Sequence, residues 1–274
     1  MYPFILHNGR ILPADSSVLA PGQVGLLSGW GVFSTLRVVE GVLFAWERHW
    51  ARMKHDAELL RVPFPEDPAP VKRSLAQLVE ANQCGSATLR IAIVRNRGGL
   101  WEGPGLSREF DLIALMAKSK DWGEGVRLTM VPQARHPDFM FSGSKSLSWS
   151  MNLCWLETAQ ARGFDEALLL NQRGHVCECT SANIFVEQAG AVYTPPLSSG
   201  CLPGITREIL LSEIRVPGIR IEERDLTPAD LEAADEVFIT STTRNLLPVT
   251  EVEGLRVRLE GEARVLLSRV FDGY

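Results

Sequence analysis

Lysine is scarce in this chain: of 28 basic residues five are lysine (Lys54, Lys72, Lys118, Lys120, Lys145) and the rest are arginine. Lys145 stands in a run of small polar residues, Ser142-Gly143-Ser144-Lys145-Ser146-Leu147-Ser148. A chain that relies on arginine for solubility has little need of a lysine there for charge alone. Lysine can lose its proton and form a Schiff base with a carbonyl, which arginine cannot do. A plain surface-loop lysine is the alternative. Glu178 is flanked by Cys177 and Cys179 and followed by Thr180-Ser181-Ala182-Asn183. It is either an exposed strand glutamate or an anion placed to hold a heterocyclic nitrogen protonated. Leu202-Pro203-Gly204-Ile205-Thr206 leads from a turn into a helix, where free amides and the helix dipole favour a phosphate, although ordinary caps look alike. The hydroxyl run Thr240-Ser241-Thr242-Thr243 could bind phosphate oxygens or simply turn the chain.

The elements that must position these residues follow from periodicity. In the first half, strands are expected at 4–6, 10–12, 32–39, 42–44, 88–94 and 111–117, where apolar and β-branched residues dominate or alternate. Helical spacing of Trp50, Met53, Ala57 and Leu60 predicts a helix over 47–60, and a second is expected over 71–82 after four prolines. This half reads as α+β, with helices packed to one side of a sheet. The aperiodic, charged and glycine-containing stretch at 119–125 is read as a linker between a domain at 1–118 and one at 126–274. In the second half, strands are expected near 126–131, 167–170, 176, 183–187, 192–194, 220–223 and 236–240, and helices at 146–162, 206–214 and 263–271. In strand geometry Cys177 and Cys179 share one face and Glu178 takes the other.

Composition excludes several classes. The 274 residues are 45% apolar and 22% charged, enough for a real core and too apolar for a disordered chain. A net charge of −5 argues against a nucleic-acid or anionic-membrane surface. Apolar runs fall far short of the roughly 20 residues of a membrane span, and the N-terminus lacks the pattern of a signal peptide, so a cytoplasmic protein is expected. Five cysteines (Cys84, Cys154, Cys177, Cys179, Cys201) and five histidines show no metal-ligand spacing, so no metal site and reduced thiols are expected.

Taken together, these residues resemble a known family. Lys145-Ser-Leu, Arg162-Gly-Phe-Asp-Glu-Ala-Leu-Leu-Leu, Glu178-Cys-Thr-Ser-Ala-Asn-Ile-Phe, Tyr193-Thr-Pro-Pro, Leu202-Pro-Gly-Ile-Thr-Arg, Ala234-Asp-Glu-Val-Phe-Ile-Thr-Ser and Leu247-Pro-Val are similar to motifs of the class IV aminotransferases, the fold-type IV pyridoxal-phosphate enzymes. Asn8-Gly9, Gly29-Trp-Gly-Val-Phe-Ser-Thr-Leu-Arg37 and His49-Trp-Ala-Arg52-Met53 extend the resemblance to the first half. It implies an α+β fold of two domains, a smaller N-terminal α/β sandwich and a larger C-terminal domain with a β-barrel-like core. It also implies pyridoxal 5′-phosphate as cofactor and a homodimer with active sites between the domains.

Carried over position by position, the resemblance makes Lys145 the Schiff-base lysine and catalytic proton carrier, and Glu178 the partner of the pyridine nitrogen. Arg52 becomes the clamp on the 5′-phosphate, with Gly204, Ile205, Thr206, Ser241 and Thr242 completing the phosphate cup. Phe33, Trp30, Arg95 and Thr243 are the candidates for the substrate side, Trp30 equally for a subunit contact or the core. Ser28 before Gly29 and Ser34-Thr35 in place of Glu-Gly depart from the branched-chain enzymes. The 111–117 strand lacks the Arg-x-His pair of the D-amino acid enzymes. Phe33-Ser-Thr-Leu-Arg-Val and the length are nearest to 4-amino-4-deoxychorismate lyase, whereas Thr240-Ser-Thr-Thr and Lys145-Ser-Leu are nearest to the D-amino acid enzymes. The expected activity is amino transfer between an amino acid or amine and a 2-oxo acid, with release of pyruvate and 4-aminobenzoate from aminodeoxychorismate as the alternative.

Overall fold

Aliphatic residues alternate along the central strands of the first half, and the computed structural model, which describes residues 1–100 and 107–274, shows what that alternation faces. The chain divides into two units, Met1–Lys120 with Ser144–Trp149, and Asp121–Gly143 with Ser150–Tyr274. The short stretch around Lys145 therefore groups with the first unit rather than with the 126–274 region that surrounds it in sequence.

The first unit is built from β1 (Phe4–His7), β2 (Arg10–Pro13), α1 (Val24–Ser28), β3 (Gly31–Val39), β4 (Val42–Leu43), α2 (Trp46–Leu59), α3 (Pro68–Ala81), β5 (Ala87–Arg95) and β6 (Phe110–Ala117). Its strands form one antiparallel sheet in the order β2-β1-β6-β5-β3-β4. Asn8 and Gly9, both at positive φ (49° and 79°), make the two-residue turn between β1 and β2, the conformation for which Asn-Gly is suited. Val32, Leu36, Leu89, Ile91, Ile93, Ala114 and Met116 point to one face and are sealed by Trp46, Trp50, Met53 and Ala57 of α2 and Leu75 and Leu78 of α3. Truncating a fully buried leucine such as Leu75 to alanine costs about 2–5 kcal/mol in such a core. The α3 helix begins at Pro68, three residues before the expected start at Val71. Pro68 and Pro70 lie in its first turn, where a missing N–H is harmless, and Asp67 caps it by accepting from the Ala69 amide at 2.9 Å.

The second unit contains β7 (Val126–Arg135), α4 (Ser150–Ala161), β8 (Glu166–Asn171), β9 (Val176–Cys179), β10 (Asn183–Gln188), β11 (Ala191–Thr194), α5 (Ile205–Ser212), β12 (Arg220–Glu223), α6 (Pro228–Ala233), β13 (Glu236–Ser241), β14 (Asn245–Val252) and α7 (Ala263–Phe271). Its eight strands run in the order β12-β11-β10-β13-β14-β7-β8-β9, with parallel pairs at β11/β12, β14/β7 and β7/β8. The β14 strand is not among the expected strands, and Pro248 sits inside it. The structure accommodates the proline at the switch of partners: β14 pairs with β13 up to Pro248, and its ladder with β7 starts at Val249.

Two expectations are corrected. The helix expected over 146–162 begins at Ser150, because 145–147 is extended and hydrogen-bonded to β3. Cys177 and Cys179 do not alternate simply with Glu178: the β8/β9 register shifts between Leu169 and Leu170, and both Val176 and Cys179 enter the core. Among the described residues no helix is long and apolar enough to cross a membrane, no group of three ligating side chains could hold a metal, and the cysteines are free.

One buried carboxylate ties the first unit together. Asp111, at the start of β6, has a fully buried side chain. It accepts from His7 Nε2 at 2.8 Å, from Arg108 at 2.5 and 3.0 Å, and from the amides of Asn8 and Gln23. Burial alone would raise its pKa, but Arg108, Asn8 and His7 outweigh it and hold the group down to about 2, against the usual 3.8. A carboxyl depressed on folding contributes stability that is complete above its unfolded value and lost as pH falls through the folded one. The depression corresponds to about 2 kcal/mol. Denaturant titration of Asp111→Asn is expected to show a loss of that order at pH 7, shrinking between pH 4 and pH 2. A deficit that did not change over that range would show that the charge is immaterial.

Candidate active site

The candidate residues fall into two sets, one in each unit. In the first, the Lys145 segment is annealed to the free edge of β3. Phe33 N–H donates to the Lys145 carbonyl at 3.1 Å, Leu147 N–H donates to the Gly31 carbonyl at 2.9 Å, and Val32 and Ser146 form an antiparallel bridge. The approach requires glycine. A Cβ on Gly31 would stand 2.4 Å from the Ile93 carbonyl and 2.5 Å from Leu147 Cδ1, and one on Gly29, at φ +63°, would stand 2.7 Å from Ser148 Oγ. The Lys145 ammonium lies 4.8 Å from the Phe33 ring centre and 5.9 Å from that of Trp149, and those rings meet edge to face at 6.0 Å. Arg90 stacks on the same Phe33 ring at 3.8 Å.

Arg52 is held on the helix side of this edge. Its Nη2 donates to Ser34 Oγ at 2.9 Å, and Ser34 Oγ lies 2.7 Å from His49 Nδ1. Burial, helped by the charges of Arg52 and Lys145, keeps His49 well below the usual imidazole range, so it is neutral at pH 7. Ser34 therefore accepts from Arg52 and shares a second hydrogen bond with the neutral imidazole. Ser34 occupies a core-facing strand position with its hydroxyl hydrogen-bonded to both Arg52 and His49. Trp30, half-buried, donates Nε1–H to the Leu60 carbonyl at 2.8 Å and carries Arg95 on its ring at 3.9 Å. Arg95 is tied at 2.7–2.8 Å to the carbonyls of Arg61 and Arg97.

In the second unit Glu178 is buried rather than an exposed strand glutamate. Its Oε1 accepts from Arg135 Nε at 2.8 Å and its Oε2 from the Leu202 amide at 2.9 Å. Arg135 ends β7 and also reaches Asn152 at 3.4 Å. The neighbouring thiols stay neutral: burial and the Glu178 charge push Cys177 up to about 12 and Cys201 up to about 11. The Leu202–Gly204 loop is pinned by Asn183, whose Nδ2 donates to the Leu202 carbonyl at 2.9 Å, and a Cβ on Gly204 would collide with Asn183 Oδ1 at 2.0 Å. Gly204 caps α5 with no side chain, so the amides of Ile205 and Thr206 are not capped, and the buried Thr206 Oγ1 has no partner.

Ser241 ends β13, Thr242 and Thr243 open the turn into β14, and the last residue of that turn is Arg244. Its guanidinium donates to Glu166 Oε2 at 3.1 Å and to Ser181 Oγ at 2.9 Å, and stacks on Trp122 at 3.9 Å. Trp122 in turn donates to the Thr243 carbonyl at 3.0 Å. Arg244 thereby joins the turn after Glu178 to the hydroxyl turn. Lys145, Phe33 and Arg52 thus cluster in the first unit with Trp30 and Arg95 alongside, and Glu178, Gly204, Ile205, Thr206 and Ser241–Thr243 are carried by the second. Sequence reasoning missed Arg135, Arg244, Asp56 and the role of Ser34. A buried carboxylate demands a partner, which was the signal for an arginine, but nothing in a chain this rich in arginine says which one.

Comparison with known proteins places these features. The family model for amino-transferase class IV matches residues 31–252. A Methanocaldococcus jannaschii protein assigned as a branched-chain-amino-acid aminotransferase is 31% identical over 253 residues, 91% of this chain and 88% of its own length. A D-alanine aminotransferase of Bacillus licheniformis is 30% identical over 254 residues, with the same coverage of 91% and 88%. In fold, the chain matches the branched-chain amino acid aminotransferase of Escherichia coli with a TM-score of 0.90 at 23% identity, covering 100% of this chain and 94% of that one. The family match spans most of the chain and includes every candidate site residue from Phe33 to Thr243; the protein is an enzyme, and it belongs to the class IV aminotransferases.

Proposed function

We propose that this aminotransferase binds pyridoxal 5′-phosphate and moves an amino group between an amino acid or amine and a 2-oxo acid, with Lys145 as the reacting amine. Class IV aminotransferases are pyridoxal-phosphate enzymes, and the residues here fit that group. The uncapped start of α5 and the unpartnered Thr206 hydroxyl are donors suited to a phosphate. Arg52, fixed by Ser34, is the guanidinium suited to the same anion, and Ser241 and Thr242 are hydroxyl donors suited to it. When bound, the cofactor supplies an aldehyde that condenses with amines and a ring that withdraws electrons from the adjacent carbon.

The chain's own residues do the rest. Lys145 provides the amine and carries the proton to and from the substrate carbon. The rings of Phe33 and Trp149 lie against its ammonium group and hold the side chain in place. Glu178 offers a buried carboxylate to the ring N–H, and Arg135 with the Leu202 amide keeps it oriented. The protonated thiols of Cys177 and Cys201 add no second anion beside it. The observation that carries the reading is the fixation of Lys145: two main-chain bonds, a bridge and two obligatory glycines hold the backbone of one lysine.

A homodimer belongs to the same proposal. Phe139, Met140, Met151, Leu153 and Leu197 of the second unit are large apolar residues left 46–70% exposed, surface that a second copy of the chain would cover. Sedimentation equilibrium at micromolar concentration is expected to give about 60 kDa, twice the chain mass of 30.3 kDa. A fully active monomer at that concentration would defeat the dimer.

Two variants test the chemistry. Borohydride reduction of the protein loaded with pyridoxal phosphate, followed by peptide mapping, is expected to place the pyridoxyl group on Lys145. Lys145→Ala is expected to fold and to lose turnover, and a label on another lysine would refute the assignment. Glu178→Gln is expected to retain the cofactor and to slow turnover about 10²-fold or more. Wild-type turnover with an unchanged cofactor spectrum would move the role elsewhere. Donor screening with L-, D- and ω-amino compounds, with aminodeoxychorismate as one arm, assigns the substrate class.

A further inference from the structure

His49, Arg52 and Asp56 follow one another at three and four residues along α2 and so share one stripe of the helix. The first two converge on Ser34. The third does something different. Asp56 is 1% exposed, and its Oδ2 accepts the backbone N–H of Lys145 at 3.1 Å. The helix that carries the proposed phosphate clamp therefore also grips the main chain of the proposed reacting lysine, whose carbonyl is taken by the Phe33 N–H. An aspartate is an unusual choice for an acceptor at this depth, because a buried carboxylate is costly unless paired with charge as well as hydrogen bonds. The charged groups acting on it are Arg52 and His55 on α2 and the Lys145 side chain on the annealed segment; His49, on the same stripe, is neutral. Burial raises the Asp56 carboxyl, and the Lys145 amide, Arg52, His55 and the Lys145 ammonium act against that rise.

We infer that Asp56 is a positioning residue for Lys145: it fixes the lysine's backbone by accepting its amide hydrogen, and its negative charge favours the protonated form of the lysine amine. The functional weight of this inference rests on Lys145 being the reacting amine, while the two physical effects do not. The amide bond sets where the side chain starts. The charge sets how readily the amine holds a proton between successive transfers. A neutral acceptor of the same shape keeps the first effect and removes the second, which separates them.

Only five lysines are present, so selective labelling with 15N-lysine gives five backbone amide signals, and Lys145→Arg identifies that of Lys145 by its loss. In the full-length protein Asp56→Ala is expected to speed exchange of the Lys145 amide at least tenfold, whereas Asp56→Asn keeps it protected. In the cofactor-free protein, acylation of Lys145 by limiting acetic anhydride, followed by mass spectrometry across pH, reports the amine's titration. Asp56→Asn is expected to move its midpoint down by about one pH unit, the scale of losing a nearby opposite charge. Asp56→Glu is expected to restore the wild-type midpoint at least in part. Unchanged exchange in Asp56→Ala, or an unchanged acylation midpoint in Asp56→Asn, overturns the inference. Borohydride labelling of the wild-type protein answers separately whether Lys145 is the reacting amine; a label elsewhere would remove the functional role and leave the exchange and acylation results standing.

Discussion

Everything proposed for this enzyme depends on one main-chain splice, in which Lys145–Leu147 lies along the exposed edge of β3. The edge is available because β4 pairs only with Val38 and Val39, leaving Gly31–Phe33 with unpaired backbone groups. Unpaired strand edges are sticky, and here the edge is covered by a segment of the same chain. Gly29 and Gly31 decide that it can be covered so closely, since a methyl group at either position would occupy space already held by Ser148, Leu147 or the Ile93 carbonyl. The connection from β7 to β8 must in any case cross over, since those strands are parallel, and α4 serves that crossover. The Lys145 stretch just before α4 is lent to the first unit.

The second set of residues is governed by a different rule, that a buried charge must be matched. Glu178 is matched by Arg135 and the Leu202 amide, and Glu166 by Arg244, Ser181 and Thr180. Each match also fixes a loop. Leu202 begins the turn into α5, and Arg244 ends the turn that follows Ser241. The carboxylates therefore shape the surroundings of the uncapped α5 amides as well as carrying charge. Removing one partner of such a pair strands the other in a dry environment, so Arg135 and Arg244 are expected to be sensitive positions although neither carries chemistry.

Much of this was legible in the sequence. Alternation in 32–39 and 88–94, the helical stripe of α2 and the late helix at 263–271 followed from periodicity, because a single buried face writes a regular pattern. Lys145 stood out by residue type, and the resemblance to class IV aminotransferases pointed to Glu178 and Arg52, whose roles stay proposals. What stayed hidden depends on contacts distant in sequence. A serine-rich run before an apolar stretch reads as a helix start, and only the hydrogen bonds to Gly31 and Phe33 make 145–147 extended. The β14 strand, absent from the expected elements, holds a proline that the change of partner at Val249 permits. The bulge beside Cys177 upset simple alternation. The acceptor role of Asp56 exists only because a segment 89 residues later in the chain is brought against it.

The most direct test of the account is amide exchange at Leu147 in the full-length protein. Its N–H donates to the Gly31 carbonyl, so exchange is predicted to be slow, in the range of the central β5 residues Ile91 and Ile93, and to be lost as a unit with the β3 amide of Phe33. Exchange of Leu147 at the rate of an unprotected loop, with Ile91 and Ile93 still protected, would contradict the claim that the lysine is held as a strand of the first unit.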